Sequence, residues 1–138
     1  MKKIASFSID HDILMPGMYV SRIDGNVITY DIRMKKPNGG DYLSNGAMHT
    51  FEHLFATYAR NGEFENSVIY IGPMGCRTGF YMLLLDDMSR EDALKLVTES
   101  FAFIKEVRSQ EQSAKNVATT SSTIFRAQRQ LQRTCSMF

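Results

Sequence analysis

The stretch MYVSRIDGNVITYDIRM, residues 18–34, predicts the first folding unit of this chain. Its two halves, residues 18–22 and 27–34, are rich in the β-branched and aromatic residues that favour strands. Asp24-Gly25-Asn26 between them is strong turn chemistry. The stretch therefore predicts an antiparallel hairpin.

Helices and strands follow the hairpin in the predicted order. Ser44 or Asn45 can cap a helix that runs to about Arg60, because its apolar residues recur at helical spacing. Residues 67–71 and 80–85 are typical of strands.

A second amphipathic helix is expected after Ser89, which forms a loose capping box with Asp92. Residues 4–10 give a weaker strand signal ahead of the hairpin. This order predicts a single α+β domain in which helices pack on an antiparallel sheet.

Composition excludes several other classes of protein. With 138 residues and 43% hydrophobic residues, the chain suits one globular domain. Two cysteines cannot form a disulfide framework, and a net charge of +1 does not favour a nucleic-acid binder. The longest apolar run, Phe80–Leu85, is far shorter than the roughly 20 residues of a membrane-spanning helix. We expect a cytoplasmic protein that binds neither nucleic acid nor membrane.

The charge is unevenly distributed along the chain. Residues 1–108 carry a net charge of −2, and residues 109–138 carry +3. The hydrophobic periodicity also fades beyond Arg108, where Ser, Thr, Gln and Ala dominate. Net charge and hydrophobic periodicity therefore both change near Arg108.

The strongest motif lies within the first predicted helix, where His49-Thr50-Phe51-Glu52-His53 has the pattern H-x-x-E-H. The two histidines lie about 40° apart around the helix and about 6 Å apart along it, so both imidazoles can reach one metal ion. Glu52 lies at the edge of the same face, where it can transfer a proton beside the metal. The alternative is an exposed histidine pair without a metal.

A second candidate is Cys76, which lies in the glycine-rich segment Pro73–Gly79 between two predicted strands. A thiol in such a turn can be exposed, and a nearby cation or metal can lower its pKa so that it acts as a base or nucleophile. The alternative is a small buried hydrophobic residue. Alone, Ser6, His11 and Arg33 carry no motif, and ordinary surface or strand positions are favoured for them.

Four stretches together resemble the S-ribosylhomocysteine lyase family, the LuxS enzymes of autoinducer-2 synthesis. They occur in the family's order and spacing over residues 1 to about 106, and the last two in combination are highly specific. The stretches are Ser6–His11, Tyr30–Arg33, His49–Leu54 and Pro73–Phe80. The resemblance implies a LuxS-like single domain and a homodimer with active sites at the subunit interface.

The resemblance also implies a reaction, the cleavage of S-ribosylhomocysteine to homocysteine and 4,5-dihydroxy-2,3-pentanedione, a precursor in quorum sensing. In the family's reaction, one divalent metal ion per subunit polarises the carbonyl of the opened sugar. The carbonyl then moves from C1 to C2 and to C3 of the sugar before β-elimination. Iron is the metal expected from the family, with zinc or cobalt as alternatives. By resemblance, His49 and His53 hold the metal, and Glu52 and Cys76 move the protons. Substrate binding is then assigned to Ser6, His11 and Arg33.

The family's third metal ligand, a cysteine in a Cys-Gly pair, is missing at Asn116–Ala118. When residues 116–125 are back-translated and read in a shifted frame, the codons permit Cys-Gly-Asn-Tyr followed by Leu-Glu-His-Asn-Leu, both of which resemble the family. We hypothesise that residues from about Val107 onward are translated out of frame. The alternative is a natural divergent tail, with Cys135 as the third ligand.

This hypothesis divides the chain into a lyase-like catalytic domain, residues 1–108, and an aberrant tail, residues 109–138. Because two histidines bind a divalent ion more weakly than two histidines and a thiolate, we expect weak metal retention and low or no lyase activity. Two other functions are open. One is a metallopeptidase of the inverted-zincin type, with Glu106 or Glu111 as the third ligand. The other is an inactive lyase remnant.

Overall fold

A computed structural model describes residues 14–115 of the chain. Its strands are β1 (Gly17–Asp24), β2 (Val27–Arg33), β3 (Val68–Pro73) and β4 (Gly79–Leu85), and its helices are α1 (Asn45–Ala59) and α2 (Arg90–Lys115). The strands form one antiparallel sheet in the order β1-β2-β4-β3. The predicted α+β class is confirmed, whereas the strand predicted over residues 4–10 lies outside the described residues.

The predicted hairpin is confirmed as β1 and β2. Asp24 pairs with Val27, so the turn consists of Gly25 and Asn26. Gly25 has φ +60°, a left-handed conformation that glycine adopts without steric cost. This tight turn sets the register as far as the pair Arg22–Thr29, and a bulge between Val20 and Arg22 shifts it for the rest of β1.

Helix α1 begins where the sequence predicted, because the Ser44 side chain accepts a hydrogen bond from the backbone N–H of Ala47 at 3.2 Å. Its buried face consists of Ala47, Met48, Phe51, Phe55 and Ala59. His49 and His53 are exposed on another side of the helix. The burial pattern therefore presents the histidine pair to solvent.

One aromatic residue joins three elements in the core. The Phe51 ring of α1 stacks on Phe80 of β4 at 4.8 Å and meets Phe101 of α2 edge-on at 4.9 Å. Phe51 and Phe80 are almost fully buried, and burying a phenylalanine contributes about 1.5–3 kcal/mol. This packing holds α1, and with it the candidate metal ligands, in a fixed position over the sheet.

Helix α2 begins at its predicted cap, where Ser89 Oγ accepts a hydrogen bond from the Asp92 N–H at 3.0 Å. It continues to Lys115, past the point at which the apolar pattern fades. Glutamine, glutamate, alanine and lysine all favour helices, and an ion pair of 2.9 Å joins Arg108 to Glu111. The change in composition near residue 108 therefore does not end the helix. Within residues 14–115, no helix is long and apolar enough to cross a membrane.

Candidate functional site

The two histidines of α1 lie side by side on the exposed surface of the helix. The ring centroids of His49 and His53 are 4.4 Å apart, and the rings are perpendicular to each other. Two neighbouring imidazoles that are accessible to solvent fit a single divalent ion. Within residues 14–115, no group of three histidine, cysteine, aspartate or glutamate side chains forms a metal cluster. The pair alone is therefore an incomplete ligand set.

An open cleft of about 340 Å³ lies between α1 and the segment that leads from β3 into the following turn. Glu52 is half-buried on the wall that α1 contributes. The lining residues are Asn45, Met48, His49 and Glu52 of α1, with Pro73, Met74, Gly75 and Arg77 across from them. The cleft therefore brings the H-x-x-E-H motif and the glycine-rich turn together, although they are distant in sequence.

The turn between β3 and β4 has a defined backbone conformation. The N–H of Arg77 donates to the Met74 carbonyl at 2.9 Å, and the N–H of Met74 donates to the Gly79 carbonyl at 2.9 Å. Arg77 has φ +58°, which is uncommon for a residue other than glycine. The Arg77 carbonyl also accepts a hydrogen bond from the Leu43 N–H. These contacts tie the turn to the loop before α1 and leave Cys76 exposed.

The thiol of Cys76 is surrounded by hydrogen-bond donors. Its Sγ lies 3.4 Å from Nη1 of Arg33 and 3.0 Å from the hydroxyl of Thr78. Burial is the largest influence and raises the pKa of the Cys76 thiol. Hydrogen bonds from Thr78 and the charge of Arg33 outweigh it, so the pKa lies below its ordinary value. A lowered pKa increases the thiolate fraction at neutral pH, and the thiolate is the reactive form. Cys76 is thus not the buried hydrophobic residue that the sequence left as an alternative.

Arg33 lies inside the sheet beneath this thiol. Its guanidinium donates to Asp31 through Nε at 3.1 Å and through Nη2 at 2.5 Å. The side chains of Arg33 and Asp31 are 2% and 3% exposed. The sequence analysis assigned Arg33 to substrate binding by resemblance, and this assignment stays a prediction. In the structure Arg33 supports Cys76 and is paired with a carboxylate of its own strand.

Sequence reasoning missed two residues of this arrangement, Asp31 and Thr78. Two signals pointed to them, because Asp31 and Arg33 stand two positions apart in a mostly apolar strand, and so do Cys76 and Thr78 in the turn. Side chains two positions apart on a strand share a face, as Asp31 and Arg33 do on β2, whereas Cys76 and Thr78 lie in the turn between β3 and β4. Neither signal alone indicates that the two pairs meet.

Several predicted positions lie outside the described residues. These are Ser6 and His11, assigned to substrate binding, together with residues 116–118, where the family's third ligand is expected, and Cys135. Their assignments stay predictions.

Comparison with known proteins identifies the family. The sequence model of the S-ribosylhomocysteinase (LuxS) family matches residues 4–133 of this chain. An S-ribosylhomocysteine lyase of Finegoldia magna is 51% identical over 108 residues, which is 75% of this chain and 69% of that protein. The lyase of Desulfotalea psychrophila is 50% identical over 109 residues, with the same coverage. That of Clostridium acetobutylicum is 46% identical over 113 residues, 78% of this chain and 72% of its own.

The two kinds of match differ in how far they extend. The alignments with these relatives include 75–78% of the chain, whereas the family match includes most of residues 109–138 as well. The family match and the alignments with the relatives both include most of the chain, and the motifs with His49, Glu52 and Cys76 occur in the order expected for this family. The chain belongs to the S-ribosylhomocysteinase (LuxS) family.

Proposed function

We propose that this protein cleaves S-ribosylhomocysteine to homocysteine and 4,5-dihydroxy-2,3-pentanedione. The observation that carries the proposal is the cleft between α1 and the β3–β4 turn. It places His49 and Glu52 opposite a turn whose Cys76 thiol has a lowered pKa. With a divalent ion held by His49, this arrangement would supply a Lewis acid beside two groups able to exchange protons, as the reaction requires. The named relatives favour this carbon–sulfur lyase over a metallopeptidase, for which the Cys76 turn has no role.

The candidate metal site consists of His49 and His53. A divalent ion bound there supplies Lewis-acid polarisation of the substrate's carbonyl oxygen, which acidifies the neighbouring C–H. Iron is the proposed metal, with zinc or cobalt as alternatives, and each accepts imidazole ligands.

The protein's own groups move the protons. The Cys76 thiolate removes the proton from C2 and returns it to C1 as the carbonyl moves from C1 to C2, and Glu52 transfers the hydroxyl proton between the two oxygens. Repetition of the step moves the carbonyl to C3. Removal of the C4 proton then breaks the C5–S bond and expels the homocysteine thiolate. The enol that is left takes up a proton on C5 to give the dione, so no redox cofactor is needed.

The described geometry suits Cys76 for repeated proton transfer. Arg33 and Thr78 stabilise its thiolate from the protein side, and Cys76 is exposed between Gly75 and Arg77, which both line the cleft. A base with a pKa closer to neutral exchanges protons more rapidly in both directions. The proposal assigns substrate binding to Ser6, His11 and Arg33 by family resemblance, and it includes a cytoplasmic homodimer.

The test is a comparison of two assays on the full chain, loaded with Fe²⁺ or Co²⁺ without oxygen. Free homocysteine is measured as thiol release from S-ribosylhomocysteine, and peptide cleavage is measured on a mixed peptide set. We expect low thiol release that is lost in Glu52→Gln and Cys76→Ala, because the ligand set is incomplete, and we expect no peptide cleavage. Peptide cleavage that depends on Glu52 would contradict the proposal.

A second form of the protein separates a weak lyase from an inactive remnant. In this form, residues from Val107 onward are replaced by the alternative-frame sequence that the codons permit, with a Cys-Gly pair near residue 116. We expect thiol release well above that of the chain as written, because a thiolate completes the metal site. No release by either form would overturn the proposed function.

A further inference from the structure

Thr78 occupies the centre of the polar network behind Cys76. Its side chain is fully buried, with 0% exposed. Thr78 Oγ1 lies 2.5 Å from Nη1 of Arg33 and 3.0 Å from Sγ of Cys76. The buried hydroxyl thus lies between a cation and a thiol and hydrogen-bonds to both. Its hydrogen-bond directions can therefore be assigned.

The assignment follows from the chemistry of the three groups. A guanidinium only donates hydrogen bonds, so the Thr78 oxygen accepts from Arg33. The single hydroxyl hydrogen is then free to point at Sγ. A thiolate accepts this bond strongly because it is charged, whereas a neutral thiol accepts it only weakly. The network therefore favours the deprotonated form of Cys76.

We propose that Thr78 is a positioning residue that holds Cys76 as a thiolate by donating its hydroxyl hydrogen to Sγ. The catalytic consequence rests on the proposed function, but the protonation of Cys76 does not. The arrangement resembles a relay in which Asp31 fixes Arg33, Arg33 fixes the hydroxyl of Thr78, and the hydroxyl stabilises the sulfur.

The backbone around Thr78 prevents the hydroxyl from moving away. The Thr78 carbonyl accepts hydrogen bonds from the N–H groups of Met34 and Lys35, both at 2.9 Å. At the next residue, Gly79, an added Cβ would lie 2.2 Å from the Ile32 carbonyl oxygen. Strand β4 therefore approaches β2 at a distance that only glycine permits. This close contact keeps the Thr78 side chain directly beside Arg33.

Other charged and titratable groups surround the thiol. Strand β2 contributes Asp31 and Arg33, and β4 contributes Tyr81, whose own pKa is raised by burial, with Asp31 and Cys76 adding to the effect. Arg77 follows Cys76 in the turn, and His49 and Glu52 lie across the cleft on α1. Of these groups, Arg33 hydrogen-bonds directly to Sγ, as does Thr78 through both its hydroxyl and its backbone.

The test measures how the reactivity of Cys76 depends on pH in the full chain without metal. Each protein is alkylated with iodoacetamide from pH 5 to pH 10, and the rate at Cys76 is read by peptide mass spectrometry, which separates it from Cys135. Thr78→Val keeps the shape of the side chain and removes the hydroxyl. We expect its thiolate-to-thiol ratio at neutral pH to fall about tenfold, which moves the midpoint upward by about one pH unit.

Two comparisons isolate the hydroxyl. Thr78→Ser retains it, and we expect a midpoint within about 0.3 pH units of the native protein. Thr98→Val removes a hydroxyl that bonds the Leu94 carbonyl in α2, away from the site, and no shift is expected. If Thr78→Val does not fold, Thr78→Ala and Thr78→Ser provide a second pair that differs only in the hydroxyl oxygen.

The outcomes separate this inference from the proposed function. An unchanged midpoint in Thr78→Val, or in Thr78→Ala relative to Thr78→Ser, overturns the role of Thr78 even if the protein releases homocysteine. A shifted midpoint supports it even if neither form of the protein is a lyase. In an active form, Thr78→Val should also move the acidic limb of the kcat/KM pH profile upward by the same amount.

Discussion

Arg33 and Asp31 form a two-point ion pair inside the sheet, with N–O distances of 3.1 and 2.5 Å and both side chains almost fully buried. They stand two positions apart on β2 and so share one face of the sheet. The pair uses Nε and Nη2 of Arg33, while Nη1 donates to Thr78 and Cys76. It is therefore part of the support of the thiol as well as of the sheet.

Asp31→Asn should lower the free energy of unfolding by about 3–5 kcal/mol, because it removes the buried carboxylate that pairs with Arg33 and leaves only the Cys76 sulfur, at 3.4 Å, beside this charge. Urea denaturation at pH 7 measures the loss. The control is Asp24→Asn, which breaks the exposed Arg22–Asp24 pair with the same spacing on β1, and little or no change is expected there. If the two variants lost similar amounts of unfolding free energy, burial of the Arg33–Asp31 pair would not explain its contribution to stability.

Cys76 should make the stability of the protein depend on pH. Because its folded pKa is depressed, the stabilisation is fully present above the unfolded pKa, near 9.0, and is lost as pH falls through the folded value. The difference in unfolding free energy between the native protein and Cys76→Ser should therefore grow with rising pH below about 9 and then level off. Urea unfolding at several pH values tests this, and a difference that shrinks with rising pH would have the wrong sign.

The histidine pair should dominate metal binding. His49→Ala and His53→Ala should each weaken Co²⁺ binding by at least about tenfold, as judged by titration of the cobalt absorption bands. Glu52→Gln should bind the ion nearly as well as the native protein and lose thiol release. Equal cobalt affinity in the native protein and both histidine variants would place the metal elsewhere.

The chain as written should lose most of its metal on dialysis, since the described residues supply only an incomplete ligand set. Elemental analysis before and after dialysis measures the retained ion. One tightly held ion per subunit would contradict the expectation unless Cys135→Ser releases it.

Sequencing of the coding DNA around residues 105–120 tests the frameshift hypothesis. A single intact frame with no recoverable Cys-Gly-Asn-Tyr would remove the frameshift hypothesis.

Gly79→Ala should be destabilising by about 1–3 kcal/mol or more, because the new methyl group meets the Ile32 carbonyl oxygen, part of a backbone that cannot yield easily. The matched control is Gly46→Ala in α1, where no atom lies within 4 Å of an added Cβ. That change should be neutral or stabilising by up to about 1 kcal/mol. Thermal or urea unfolding distinguishes them, and a neutral Gly79→Ala would show that β2 and β4 are less tightly apposed.

The elements of the fold follow from local patterns. Turn chemistry at Gly25 and side-chain caps at Ser44 and Ser89 act within a few residues, so the hairpin and the starts of both helices were predictable. The histidine pair on α1 was predictable for the same reason, because helix geometry alone places the two rings together. The end of α2 was not, since helix propensity and ion pairs extend it where the apolar pattern has faded.

The thiol environment could not be predicted from local patterns. Arg33 and Cys76 are 43 positions apart, and their contact depends on the pairing of β2 with β4. The sequence suggested that a cation near Cys76 can lower its pKa, but it did not identify Arg33 as that cation. The burial of Asp31 and the direction of the Thr78 hydroxyl depend on the same pairing.

That dependence on strand pairing has a consequence for the newly synthesised chain. Before β2 and β4 pair, the thiol of Cys76 has neither Arg33 nor Thr78 beside it and titrates as an ordinary cysteine. Oxidants and electrophiles react mainly with thiolates, so the unfolded chain is the less vulnerable form at neutral pH. Pairing of β2 with β4 during folding therefore also makes the Cys76 sulfur reactive.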